Sequence, residues 1–340
     1  MKKNYYLPFV LTILINPVFS QESIPLFQSK EALNLQASGS IKSIKKNTND
    51  STLVPGKFQY EKTPGNWVTI ATDARVRGNF RLKNCFFPPL KLKFSKKDVQ
   101  GTVFEGNKAL KLVVPCKTSP NSNSYIRKEY LCYQFYELLS PHHFRTRLAN
   151  LKLTEMSRQK TREYELLTFF VEDNSMVAKR AGGKIMELKG LNPAAFEEKQ
   201  SLRNDYFQYM IGNADWSAIY QHNSNVMFAN GQYIALSYDF DMAGFVNADY
   251  AKANPPQLGT GDVRQRVYRG FCKSKSAMED IRKEYLDKEA AVHALVDQES
   301  SNFKAYELKD MHNYLDEFFA ILKSDNQFQN AIVEGCRTDK

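Results

Sequence analysis

Asp215, Asn223, Asp239 and Asp241 are the residues whose types and spacing could do chemistry. Asp215 lies in the polar loop Asn213-Ala214-Asp215-Trp216-Ser217, which follows Gly212, a natural helix-ending glycine. Asn225-Val226-Met227-Phe228 and Tyr233-Ile234-Ala235-Leu236 read as two strands joined across Asn230-Gly231, a strong hairpin signal. With those two residues as the loop, partner numbers sum to 461 and Asp239 lies opposite His222. A three-residue loop gives 462 and places Asp239 opposite Asn223. Either register returns the strand end to His222-Asn223-Ser224-Asn225, a few residues after Asp215. Two carboxylates and an amide oxygen, from Asn223 or from Asn225 in its place, would then meet. Hard oxygen donors of this kind suit Mg²⁺ or Mn²⁺, ions that keep water and bind substrate phosphates. Asp241 falls two residues beyond Asp239 on the same strand face. Aspartate is disfavoured in strands, and two on one face repel unless a cation or base compensates. Simpler roles compete: Asp215 as an N-cap, the asparagines as turn residues, His222 as a core or turn histidine.

Two groups of elements must position these residues. Trp67 to Val114 is mostly strand, with strict alternation over Leu90-Lys91-Leu92-Lys93-Phe94 and a further run at Leu110 to Val114. Arg127 to Ser140 is an amphipathic helix with Leu131, Phe135, Leu138 and Leu139 on one face. Two more strands follow, Leu148 to Leu153 and Tyr164 to Val171, the second ending at Glu172-Asp173-Asn174. The remainder is mainly helical: Phe196 to Ile211, Ala277 to Ser300 and Leu308 to Ile332. Gln21 to about Gly56 is Ser/Lys/Asn-rich and reads as a loosely held arm. The expected organisation is a leader at 1–20, an extended arm at 21–60, a β-rich part at 61–173 and a mainly helical part at 174–340.

Composition narrows the function classes. The 340 residues are 42% hydrophobic and 25% charged, which excludes wholesale disorder and a polytopic membrane protein. A net charge of +10 is mild and spread along the chain; it permits phosphates or acidic surfaces as partners. Without zinc-finger spacing, an aromatic RNA-binding signature or a basic helix, no nucleic-acid partner is expected. Lys2 and Lys3 precede the apolar stretch Leu7 to Phe19, and Val18-Phe19-Ser20 supplies a cleavage site before Gln21, the pattern of a signal peptide. No other stretch approaches a membrane span, so the mature chain is expected to be exported, periplasmic or secreted, without a transmembrane helix. In that compartment the five cysteines, which contain no CxxC, should form disulfides. Cys132 sits in the helix stripe as the candidate buried thiol, leaving Cys85–Cys116 and Cys272–Cys336 as the simplest pairs.

Several of these motifs carry a family resemblance. Val76-Arg77-Gly78-Asn79 resembles the RGN strand motif of the CotH spore-coat kinase family. Gly212-Asn213-Ala214-Asp215, His222-Asn223 and Tyr238-Asp239 are similar to matching elements of CotH and HipA-type atypical kinases. Residues 70 to 273 also resemble a set of exported bacterial proteins, through Phe87-Pro88-Pro89-Leu90, Thr102-Val103-Phe104, Lys111-Leu112-Val113 and Tyr238-Asp239-Phe240-Asp241. The resemblance implies an α+β, two-lobed protein-kinase-like fold with a β-rich N-lobe and a mainly helical C-lobe. It makes Asp215 the catalytic residue that orients or deprotonates an acceptor hydroxyl. It makes Asn223 (or Asn225), Asp239 and Asp241 metal ligands. It also requires a strand lysine held by a helix glutamate to neutralise nucleotide phosphates: Lys111 with Glu129, Lys91 and Lys93 competing, and Glu172 near the base. The chain carries neither a GxGxxG loop nor an HRD sequence.

The expected function is therefore an exported kinase-like protein binding ATP or another nucleotide with Mg²⁺ or Mn²⁺, and transferring phosphate to a protein or envelope acceptor. A second class is a non-catalytic, pseudokinase-like envelope-binding module, favoured by the basic excess and 13% aromatic content. A third takes Asp239-Phe240-Asp241 as the DxD of a metal-dependent glycosyltransferase, although no alternating α/β unit precedes it. The position of Lys111 discriminates: a phosphate site needs its ammonium facing Asp239.

Overall fold

A computed structural model describes residues 24–49, 51–157, 160–188, 190–252 and 261–338, together with the backbone but not the side chains of 79 and 80. The expected leader at 1–20 lies outside the described residues. In chain order the strands are β1 (Leu33–Gly39), β2 (Val54–Thr63), β3 (Asn66–Val76), β4 (Leu90–Lys93), β5 (Ala109–Val113), β6 (Thr146–Met156), β7 (Thr161–Glu172), β8 (Lys184–Met186), β9 (Ser224–Ala229) and β10 (Gln232–Ser237). The helices are α1 (Ile41–Asn47), α2 (Asn79–Asn84), α3 (Lys96–Val99), α4 (Ser122–Leu139), α5 (Asn174–Arg180), α6 (Glu198–Met210), α7 (Lys275–Asp287), α8 (Glu289–Gln298), α9 (Ala305–Lys323) and α10 (Asp325–Phe328).

The first seven strands close on themselves in the order β1-β2-β3-β4-β5-β7-β6. Every neighbour pair is antiparallel except the closing one, in which β1 runs parallel to β6 from Leu33↔Ala149 to Gly39↔Glu155. This closed mixed barrel, beside a separate three-stranded sheet ordered β10-β9-β8, overturns the two-lobed kinase-like fold expected from the resemblance. The physical reason is β1, whose pairing with both β2 and β6 consumes the edges that an open N-lobe sheet would keep. The 21–60 arm is corrected with it, because 33–39 and 54–60 are barrel wall. Smaller corrections follow local signals. The helix expected from Arg127 begins at Ser122, and the single helix expected over Ala277 to Ser300 breaks at Lys288 into α7 and α8.

Two cores result. Inside the barrel, Phe104 packs edge-on against Phe58, Tyr60 and Phe170 at centroid distances of 5.2, 5.5 and 5.5 Å. Outside it, α4 is sandwiched between the barrel wall and α6 with the β9–β10 hairpin. Tyr133 on α4 reaches Phe169 of β7 at 5.5 Å and Phe240 at 4.7 Å, and Tyr136 stacks on Phe207 of α6 at 4.5 Å. Disulfides join Cys85 to Cys116 and Cys272 to Cys336, the simplest of the pairings the sequence leaves open, and Cys132 is a free, fully buried thiol. Burial pushes that thiol's pKa well up, which makes it inert packing. Among the described residues no helix is long and apolar enough to cross a membrane.

Candidate functional site

The hairpin forms in the two-residue register: Gln232 faces Ala229, Ser237 faces Ser224, and the Tyr238 N–H donates to the Asn223 carbonyl at 3.1 Å. Beyond Tyr238 the strand stops, because Asp239 takes φ +67° and its N–H donates to the Tyr133 hydroxyl at 3.0 Å. Alternation therefore fails, and Asp239 and Asp241 do not share a strand face. Phe240 is driven fully into the core between them, Asp239 stays half-buried, and Asp241 is buried.

Asp215 and His222 meet directly, with His222 Nε2 2.7 Å from Asp215 Oδ1. Asn223 Nδ2 donates to the Asp215 carbonyl at 2.8 Å and to Oδ2 at 3.0 Å, and the Asp215 N–H donates to Asn213 Oδ1 at 3.0 Å. Both carboxylate oxygens are thus held, and the pair faces solvent. The hydrogen bond to Asp215 raises the His222 pKa, partial burial opposes it, and the charges of Asp215 and Asp239 add to the rise. Asn223 adopts φ +46°, a conformation that asparagine tolerates better than most residues. Asn225 lies two residues along β9, and its buried Nδ2 has no hydrogen-bond partner.

A basic row approaches from the barrel. Lys91 on β4 stands opposite Lys111 on β5, so their side chains leave the same, outer face. Lys91 pairs with Asp173 at 3.3 Å. Lys111 is 6% exposed, and its ammonium lies 4.4 Å from the ring centroids of both Phe144 and Tyr238. Its hydrogen bond goes to Asn174 Oδ1 at 2.5 Å. Burial lowers the Lys111 pKa well below the usual range; Arg77 and Lys91 lower it further, while Asp173 and Asp239 pull the other way. Arg77 lies over the same Tyr238 ring, its guanidinium carbon 5.8 Å from the centroid.

Beneath Asp239 lies a buried charge cluster. Arg81 Nε sits 3.7 Å from Asp241 Oδ2, too far for a hydrogen bond, and its guanidinium also donates to the Val114 carbonyl. Glu129 is 1% exposed, and its Oε1 has no hydrogen-bond partner; neither do Arg81 Nε and Asp241 Oδ2. Burial first, then Asp241, pushes the Glu129 pKa well up, with Arg81 opposing. Burial, then Asp239, pushes Asp241 up to about 7, with Arg81 and a Tyr250 hydrogen bond opposing. Around Arg81 burial works against the charged form, but Asp241 and its neighbours outweigh it and hold the guanidinium protonated.

The structure therefore brings together Asp215, Asn223, Asp239, Asp241, Lys111 and Lys91, but not in the expected pairs. Glu129 faces Arg81 and Asp241 rather than Lys111, whose partner is Asn174. Lys93 is exposed on the barrel wall opposite Asp73. Glu172 is buried in a structural clamp, paired with Arg180 at 3.0 Å and accepting from the Arg145 N–H at 3.1 Å. Arg77, Arg81, Tyr133 and Asn174 were missed as site residues, although Arg81 follows the quoted motif by two positions. For a divalent ion, Asp239 and Asn223 offer oxygens, while Asp241 is engaged by Arg81. Among the described residues the only His, Cys, Asp and Glu cluster with ligand atoms all within 4.8 Å is Glu289, His293 and Asp316, on α8 and α9. An ion at Asp239 would thus depend on water and ligand phosphates for most of its shell. No protein-family model matches the chain, and no curated protein sequence is similar to it.

Proposed function

We propose that the seam between the barrel and the β9–β10 hairpin binds a phosphate-bearing ligand, a nucleotide first, together with Mg²⁺ or Mn²⁺. The reading rests on one observation. The Lys111 ammonium is buried, bonded to an amide, flanked by Arg77 and Lys91, turned toward Tyr238, and within the field of Asp239. A buried ammonium without a bonded carboxylate is costly until an anion reaches it. In this reading Lys111 and Arg77 take phosphate oxygens, and Asp239 with Asn223 holds the cation, which would neutralise charge developing on the phosphates. The Asp215–His222 pair takes the proton of an acceptor hydroxyl on a protein or envelope glycan. The two disulfides fit a non-cytoplasmic compartment, and periplasm or the exterior is proposed with them. The likeness to CotH and HipA-type kinases then concerns site residues, not the fold.

A binding-only role is the second reading, favoured because His222 and Asn223 already occupy both oxygens of Asp215. The DxD reading is weakened by the Arg81 contact of Asp241. Calorimetric titration with ATP, ADP and inorganic pyrophosphate, each with and without Mg²⁺ or Mn²⁺, tests the proposal. Asp239→Asn keeps a residue that tolerates positive φ, so its loss of metal-dependent binding reports on the ligand oxygen. Lys111→Met should weaken binding at least about tenfold, the cost of one charge-assisted contact. Asp215→Asn should leave affinity within a few-fold and lower turnover by ~10²–10⁴. Binding without turnover in wild type selects the binding-only role; no binding of any phosphate compound refutes both.

A further inference from the structure

The barrel interior is filled at one end only. At the filled end the inward positions carry Phe58, Tyr60, Ile70, Phe104 and Phe170. At the other end the inward positions of β1, β2 and β3 are Ala37, Gly39, Gly56, Thr72 and Ala74. A Cβ added at Gly39 would meet nothing within 4 Å. These small residues leave a cavity of about 410 Å³ walled by Leu92, Leu112, Leu151, Leu153, Leu166 and Phe170. That volume lies within the roughly 300–1,000 Å³ of small-molecule sites, and a closed sheet of about this size can hold one ligand. An apolar void this large forfeits dispersion contacts along its whole lining, which an apolar occupant restores.

The cavity has a mouth of different chemistry. β1 and β2 pair at Leu35↔Tyr60, Gln36↔Gln59 and Ala37↔Phe58, then diverge. Ser38, Ser40, Ser43 and Asn47 line one side of the gap, and Pro55, Gly56 and Lys57 line the other. From Leu33 to Tyr60 the chain carries four lysines, at 42, 45, 46 and 57, against one acid, Asp50. Lys42, Lys46 and Lys57 are exposed. Phe86 and Met156, two of the four large hydrophobics that stand exposed among the described residues, belong to the same end of the barrel. An apolar bore with a hydroxyl- and lysine-lined mouth fits one chemical class.

We propose that the barrel lumen binds a single straight-chain fatty-acyl amphiphile, its hydrocarbon tail along the bore and its carboxylate at the Ser38–Lys57 mouth. This site is separate from the Lys111–Asp239 seam, which lies on the outer face of the wall. The test is saturable binding of the fluorescent probe dansylaminoundecanoate by the disulfide-intact protein, and its displacement by a chain-length series of fatty acids. Affinity should rise about fourfold per added methylene until the bore is full and then level off. Lys57→Glu should weaken dodecanoate by about threefold and leave dodecanol unchanged, the scale of one exposed charge contact. Ala74→Phe and Ala37→Leu, which fill the bore, should weaken the probe at least about tenfold without lowering the melting temperature. Should either variant fold poorly, wild-type methyl spectra decide: Leu112, Leu151 and Leu153 must shift on adding dodecanoate. No saturable binding, or binding that leaves those methyls unmoved, overturns the proposal.

Discussion

Replacing Asp241 by asparagine isolates the charge state of the cluster under the proposed phosphate site. Burial first and Asp239 second push the folded carboxyl up to about 7, against 3.8 for the ordinary side chain. A group whose pKa rises on folding lends stability that is full below its unfolded pKa and disappears as pH climbs through its folded one. Here the window runs from about pH 4 to about pH 7. With those two values, keeping Asp241 buried costs roughly 2 kcal/mol at about pH 5 and roughly 4 kcal/mol at about pH 8. Asp241→Asn removes that titration, keeps the shape and, by taking away a charge that raises the Glu129 pKa, eases Glu129 in the same direction. Its stability relative to wild type should therefore improve by roughly 2–3 kcal/mol between those two pH values. Asp205, which burial also pushes up to about 7, remains in both chains and cancels in the comparison. Urea unfolding followed by far-UV circular dichroism at both pH values measures the difference. A gap between variant and wild type that does not change with pH would refute the assignment of a buried, proton-holding Asp241.

Arg81→Met should destabilise the protein by about 3–5 kcal/mol near neutral pH, because Asp241 loses its facing guanidinium while Val114 loses a donor. Adding Asp241→Asn should recover part of that loss in the same urea assay. Gly212→Ala should cost at least about 2 kcal/mol: φ is +64° and the new Cβ would strike the Tyr314 hydroxyl, whereas Gly39→Ala should stay within about 0.5 kcal/mol. The His222 imidazole should titrate above the ordinary histidine value by NMR, with its charged pair intact at low pH and lost as pH rises through that raised pKa. Asp215→Asn should bring it back down; an unchanged titration would mean that the Asp215 contact is not what holds the proton.

How far the chain could be read before its fold was known depends on whether a signal is local. The hairpin was legible to within one residue because Asn230-Gly231 marks its turn; of the two registers left open the structure takes the two-residue loop, and the pairing runs on to Tyr238 and Asn223. Setting Cys132 in the helix stripe left the two observed disulfides as the simplest pairs, although spacing alone leaves other connectivities open. Strand alternation failed at Asp239 because a positive-φ residue is invisible to a period-two pattern. The Lys111–Glu129 pairing failed for a reason of distance along the chain. Arg81, from a short helix between β3 and β4, occupies the position facing Glu129. Asn174, sixty-three residues from Lys111, supplies the lysine's hydrogen bond instead.

Closure of the barrel was the largest miss, and its cause is informative. β1 and β2 present Ala37, Gly39 and Gly56 at inward positions, and Pro55 adjoins Gly56, so the bulky alternation of Leu33-Asn34-Leu35 and of Phe58-Gln59-Tyr60 runs over only half of each segment. Such segments are held by neighbours on both sides rather than by their own propensity: β1 is locked between β2 and a parallel β6 more than a hundred residues away. Small inward side chains weaken the sequence signal and, for the same reason, leave the bore unfilled. Evolution toward a merely stable barrel would have placed leucine or phenylalanine at such sites, since an apolar void lowers stability. The positions that hid the strands are thus the positions that make the cavity. A fold-only account leaves them unexplained, and a ligand in the bore accounts for both.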